Sequence, residues 1–383
     1  MSEKRSGGRA IFEEVGADRP RDTTPKGGMI DARPRGARRA IRVWLMVLFA
    51  LVVVMISVGG LTRLTDSGLS ITEWRPLAGA LPPMDAATWQ SEFDKYREIP
   101  QYQLQNKGMT LAEFQFIYWW EWGHRQLGRV IGLVWGLGFF GFLLARKIPV
   151  GWTGRLLGIG VLGGMQGAIG WWMVTSGLSG AALFVASYRL ATHLGLAFVI
   201  LGLIAWYVFQ LGRSEADLLQ ARRNREGGLA RAGAWLTGAA FVQILLGALV
   251  AGIDAGRSFP DWPLMAGGFF PPDPFGLTPL WRNFFEDPGL VQFMHRMAGY
   301  LLFALIVGIW WRARRSPRKA TRFGFNTVLA MAGLQMLLGI GAVIYQAPWH
   351  IAIVHQCGAV VLWVLILRAS HQARFPVAQS LRG

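Results

Sequence analysis

The chain has 383 residues, 52% of them hydrophobic and only 16% charged, with a formal net charge of +17. Long, nearly uncharged runs recur along it, each close to the roughly 20 residues that a helix needs to cross a bilayer, and this excludes a pair of ordinary soluble domains. The single cysteine, Cys357, lies in the last of these runs, which excludes a disulfide, a thiolate metal cluster and cysteine-based haem attachment.

Residues 1–40 mix Arg, Pro and Gly with six acidic residues. Transit peptides are poor in acids, so this segment reads as the disordered cytoplasmic tail of a bacterial protein. Spans are predicted at 41–61, 126–146, 155–175, 190–211, 231–253, 291–311, 323–345 and 350–368. The fold class is therefore an all-α polytopic membrane protein. No small-residue cleavage pattern follows the first run, which is a retained helix. The connection 62–120 is long for a loop. Its stretches "MDAATWQSEFDKYREIP" and "TLAEFQFIYWWEW" have helical spacing and interfacial aromatics, predicting short amphipathic helices at the surface.

Of the 39 Lys and Arg, 28 fall in the N-terminal tail to Arg42, the connections 146–155, 212–231 and 312–322, and the tail from Arg368. Positive-inside bias puts these segments and both termini in the cytoplasm. The basic excess thus reports topology in a lipid bilayer, with no nucleic-acid partner.

The chain also repeats itself. "HRQLGRVIGLVWGLGFFGFLLARK" from His124 matches "HRMAGYLLFALIVGIWWRARR" from His295, each with Gly four residues after the His and a basic end. Gln-x3-Gly recurs at Gln166/Gly170 and Gln335/Gly339, and "TEWRPLAGALPP" (72–83) is answered by "PDWPLMAGGFFPP" (260–272). An offset near 170 residues covers four spans, so the expected architecture is two similar four-helix bundles related by a pseudo-twofold axis along the membrane normal. The halves are 41–211 and 231–369, with a cytoplasmic linker at 212–230 and a cytoplasmic tail at 370–383.

Four histidines occupy matching places: His124 and His193 in the first half, His295 and His355 in the second. All four sit toward the outer face in this topology. Intramembrane ionisable residues are functional candidates, and facing helices of a bundle build cofactor sites. Each pair comes from different helices with no third soft ligand, the pattern of two imidazoles binding one porphyrin iron axially. Gly128 and Gly299 are expected to clear space for a flat ring, with Gly132 and Gly136 continuing the strip. Arg125, Arg129, Arg189 and Arg296 are candidates for the haem propionates. His350 lies five residues before His355, about 140° around the helix, and is expected to be an interfacial side chain. His371 is expected to be solvated in the tail.

"GGLTRLTDSGLSITEWRPLAGALPP" followed by "EWGHRQLGR", together with the second "HRMAGY", resembles the haem A synthase family over nearly the whole chain after residue 40. The resemblance implies an oxidoreductase that converts a methyl group of haem O to the formyl group of haem A, through a hydroxylated form, for terminal oxidase biogenesis. It further implies a haem b cofactor held by His295 and His355 and substrate haem held by His124 and His193, toward the outer side of a bacterial inner membrane. The implied partners are haem O, haem A, haem O synthase and oxidase assembly factors. Some relatives carry paired cysteines in the outer loops; this chain is similar to the cysteine-poor subgroup of proteobacteria and mitochondria.

Two other functions compete: a di-haem b-type electron-transfer cytochrome and a structural assembly factor. Aligning the halves on His-Arg sets Glu121 opposite Gln292. A passive relay has no need of a carboxylate at one haem and an amide at the other, whereas an enzyme handling protons at one site does. Glu121 is therefore the candidate catalytic residue. A prenyltransferase would need Asp-rich loops, and the one Asp-x3-Asp, at Asp18/Asp22, is in the tail. No flavin or nicotinamide fingerprint is present, so an external electron donor is expected.

Overall fold

A computed structural model of the chain describes residues 35–178 and 183–377. The expected tail over residues 1–34 and the last residues, 378–383, lie outside the described part. In chain order the helices are α1 (Arg35–Leu64), α2 (Ala86–Arg97), α3 (Pro100–Leu104), α4 (Leu111–Leu144), α5 (Thr153–Val174), α6 (Ser187–Leu211), α7 (Glu215–Arg223), α8 (Gly227–Gly252), α9 (Asn283–Glu286), α10 (Pro288–Ala313), α11 (Lys319–Ile344) and α12 (Trp349–Arg374). Among the described residues, α1, α4, α5, α6, α8, α10, α11 and α12 are long and apolar enough to cross a membrane. Their outward faces carry bare apolar side chains, such as Leu137 at 68% and Leu301 at 72% exposed. Water would penalise such surface and lipid does not.

One apolar core runs through all eight long helices, from Ile41, Leu45 and Leu48 of α1 to Trp363 and Ile366 of α12. Neighbour relations recur in the two halves. α1 packs on α4 and α6, and α5 packs on both; α8 packs on α10 and α12, and α11 packs on both. The halves meet where α6 packs against α8 and α12, and where α1 packs against α12. Polar bonds fix that seam: Trp363 Nε1 donates to the carbonyl of Phe198 (3.1 Å), and Gln356 Nε2 to that of Ile56 (2.6 Å).

The two ends of the bundle differ. At the arginine-rich end, Arg38 donates to the carbonyl of Arg213, and Arg213 to that of Phe375, so basic side chains tie the helix ends together. At the loop-rich end, Arg63 pairs with Asp66 and with Asp254 of the other half (3.2 and 3.0 Å).

Two expectations are corrected here. "TLAEFQFIYWWEW" does not form a separate surface helix but the first turns of α4. Thr110 and Glu113 build a capping box that starts the helix at Leu111, and no proline interrupts it before Leu144. "MDAATWQSEFDKYREIP" gives the expected short amphipathic helix, α2, with Ala87, Gln90, Ser91 and Asp94 exposed. Its Phe93 and Tyr96 close a second core with Tyr102, Phe114, Ile117 and Tyr118. His371 is not solvated: α12 continues to Arg374, and the ring is buried at 7% exposure against Trp206, Phe209 and Phe375.

Candidate functional site

The four histidines lie on α4, α6, α10 and α12, and each ring is set against a glycine of the neighbouring helix. A Cβ on Gly59 of α1 would come within 2.8 Å of His124 Cε1, and one on Gly170 of α5 within 2.9 Å of His193 Cε1. In the second half, Gly247 of α8 and Gly339 of α11 stand in the same relation to His295 (3.0 Å) and His355 (3.2 Å). A side chain at Gly59 or Gly170 would force the imidazole to shift, and one at Gly247 or Gly339 would crowd it. His124 and His193 lie close enough to interact electrostatically, as do His295 and His355.

The ring nitrogens are divided in their surroundings. Nδ1 of His124, His193 and His355 is buried without a hydrogen-bond partner, while Nε2 of the same rings is not among the buried orphans. Nδ1 of His295 lies 3.1 Å from Nε2 of Gln243. A neutral imidazole with its Nε2 left free is the form that ligates a metal. Among the described residues no group of three or more His, Cys, Asp or Glu could hold a bare metal ion. Two imidazoles per site instead suit an iron whose other four ligands belong to a porphyrin. Cβ atoms on Gly132 and Gly136 would meet nothing within 4 Å, and Gly132 is exposed. Gly128 and Gly299 do not clear space as expected: Met55 Cε fills the first position at 3.5 Å and Gln243 Nε2 the second at 3.2 Å.

Glu121 is buried at 3% exposure, one turn before His124. Its Oε1 accepts from Nε and Nη2 of Arg125 (3.1 and 2.6 Å), and its Oε2 from Ser70 Oγ and the Ile71 amide (both 2.8 Å). Arg125 donates further to the carbonyls of Ile71 (2.8 Å) and Glu73 (3.1 Å). The pair thus straps the "SITEWRP" segment across α4. The second half repeats the device with the polarity of one bond reversed. Arg296 donates to the carbonyls of Phe259 (2.8 Å) and Leu264 (3.0 Å), and Gln292 Nε2 donates to Phe259 (3.3 Å) where Glu121 accepts from Ile71.

The other cations are likewise engaged. Arg129 reaches the carbonyls of Pro76 (2.9 Å) and Arg75 (3.0 Å), and Arg189 that of Trp172 (2.6 Å) while lying over the Trp172 ring. Arg129, Arg189 and Arg296 each keep one buried guanidinium nitrogen without a hydrogen-bond partner, namely Nη1, Nε and Nε. All three nitrogens of Arg125 are used, which sets it apart from the other propionate candidates. Beneath the first strap is a cleft of about 270 Å³, whose lining includes Glu73, Arg75, Glu92, Trp122, Arg125 and Arg129. His350 is exposed at the start of α12, against Trp349.

Sequence reasoning missed the glycines at 59 and 247 and the role of Gln243. The signal was present: Gln243/Gly247 has the same Gln-x3-Gly spacing as Gln166/Gly170 and Gln335/Gly339.

Fold and site together define a polytopic helical membrane protein with two histidine pairs, each pair backed by glycines. Residues 42–367 match the profile of the family described as cytochrome oxidase assembly protein. The chain is 68% identical to "Heme A synthase" of Dinoroseobacter shibae, over all of this chain and 99% of that one. It is 66% identical to "Heme A synthase" of a Ruegeria species, over 98% and 99%, and 65% identical to that of Ruegeria pomeroyi, over the full length of both. The chain belongs to the haem A synthase family.

Proposed function

We propose that this chain is an enzyme that oxidises a methyl group of haem O to the formyl group of haem A. His124 and His193 would hold the substrate haem, and His295 and His355 a haem b cofactor that relays electrons from an external donor. Bound iron would supply the electron chemistry; the chain supplies axial ligands, orientation and fixed charge. Names borne by relatives 65–68% identical over essentially full length support this reading.

The observation that carries the assignment of the two sites is a difference in buried negative charge. Glu121 and Gln292 occupy matching helix positions and bond to matching strap residues, yet only the first half carries a negative charge there. Four hydrogen bonds fix that charge one turn from His124. A preoriented charge beside a reacting group stabilises positive charge that develops during oxidation, with no reorganisation at the moment of reaction. The unpartnered nitrogens of Arg129, Arg189 and Arg296 offer donors for haem propionates.

The partition of basic residues supports a topology with the arginine-rich end in the cytoplasm and the loop-rich end outside, in a bacterial inner membrane. The test of function is extraction of the haems from the purified protein and determination of their masses. Haem b together with haem O or haem A supports the enzyme. Two haem b per chain, with no haem A formed in cells, would assign the chain to electron relay instead.

A further inference from the structure

The four ligand histidines are supported by one repeated arrangement, and one of them departs from it. On the helix packed against His193, Gly170 receives the ring and Gln166, one turn earlier, donates to the His193 carbonyl (2.9 Å). Gly339 and Gln335 do the same for His355 (2.6 Å), and Gly247 and Gln243 for His295 (3.0 Å). At His124 the glycine is present as Gly59, but the residue one turn earlier is Met55. Met55 occupies the same place as its counterpart. Its Cε lies against Gly128, four residues after His124, as Gln243 Nε2 lies against Gly299, four residues after His295.

The difference matters for an axial ligand. When Nε2 of a histidine binds a metal, Nδ1 keeps its proton and needs an acceptor, which fixes the ring and raises its basicity. The side-chain oxygens of Gln166, Gln243 and Gln335 are all buried without a partner. At His295 the amide already lies 3.1 Å from Nδ1, and an amide offers oxygen or nitrogen by a half-turn. At His295 the amide therefore stands beside Nδ1, and at His193 and His355 a glutamine ties the backbone carbonyl of the ligand. His124 shares its unpartnered buried Nδ1 with His193 and His355, but it alone has a thioether, which cannot donate to the carbonyl and is a weak acceptor, in the glutamine's place.

We propose that Met55 makes His124 the labile axial ligand of the substrate site. In the exchange of substrate for product the bond on the α4 side would break first, leaving His193 as the last bond to yield, while His295 and His355 keep the cofactor. This deepens the proposed function and rests on it, since it needs the two histidine pairs to be haem sites. A turnover site must let its haem go, and a cofactor site must not.

The test measures haem loss, not activity. Full-length protein in detergent is loaded with ferric haem b, and transfer to excess apomyoglobin is followed by absorbance. The wild type should lose haem in a fast and a slow phase, with His124→Ala eliminating the slower-than-mixing part of the fast one. Met55→Gln should slow the fast phase about ten- to hundred-fold, the range for gain or loss of a ligand's hydrogen-bond partner. Met55→Leu, similar in bulk but without an acceptor, should leave it near the wild-type rate. The reciprocal Gln243→Met should speed the slow phase by a comparable factor. Equal effects of Met55→Gln and Met55→Leu, or no effect of either Met55→Gln or Gln243→Met, overturns the inference while leaving the two-site reading intact. A single phase that ignores His124→Ala overturns the two-site reading itself.

Discussion

Replacing Glu121 by Gln separates charge from shape at a place where only the first site carries a carboxylate. Gln keeps one oxygen, enough to accept from the Ile71 amide and Ser70, and loses the acceptor that Arg125 holds at 2.6 and 3.1 Å. A hydrogen bond to a charged group contributes about 1.5–3 kcal/mol. Removing one partner of a fully buried pair costs up to about 5 kcal/mol. Arg125 is partly exposed and retains the carbonyls of Ile71 and Glu73, so the lower range applies, about 2–3 kcal/mol. The loss should fall on the strap and not on the bundle, because Gln292 occupies the matching position beneath an equivalent strap. At about 1.4 kcal/mol per decade, amides of residues 70–76 should exchange with deuterium roughly 30- to 100-fold faster, while those of 259–265 serve as an unchanged internal reference. The variant should keep the haem held by His295 and His355 and make little or no haem A in cells. Unchanged exchange over 70–76 would refute the strap reasoning, and full haem A production would remove Glu121 from the chemistry.

Gly59→Ala and Gly170→Ala each place a methyl group less than 3 Å from a histidine Cε1, so the ring must turn; haem occupancy of the substrate site should fall while the second site's absorbance persists, and full occupancy in both variants would contradict the geometry. His295→Ala or His355→Ala should remove the stable b-type spectrum, and His350→Ala should leave it unaltered because that ring is exposed at the helix start; bleaching by His350→Ala equal to that of His355→Ala would mean that the ligand on α12 is misassigned. Reporter fusions after residues 90 and 275 should both give an outer location, and a cytoplasmic readout at either would overturn the orientation.

The number and place of the long helices were legible in the sequence because lipid imposes a length and a polarity on every span, and both are local properties. The repeat placed His124, His193, His295 and His355 in matching positions for a similar reason: register along a helix is written in sequence spacing. The beginning of α4 was equally available in the Thr110/Glu113 capping box, but the charges after Glu121 drew the boundary of the span some fifteen residues too late. His371 was read from its polar neighbours as solvated, whereas its burial depends on Trp206 and Phe209, which reach it from α6. The engagement of the arginines was undecidable from spacing, since Arg125 and Arg296 bond to carbonyls 32 to 54 residues away in the chain. The glycine behind each imidazole, and the methionine that replaces glutamine behind one of them, acquire meaning only when helices distant in sequence are packed. What a side chain touches across a bundle follows from how helices cross, and crossing is a property of all eight together.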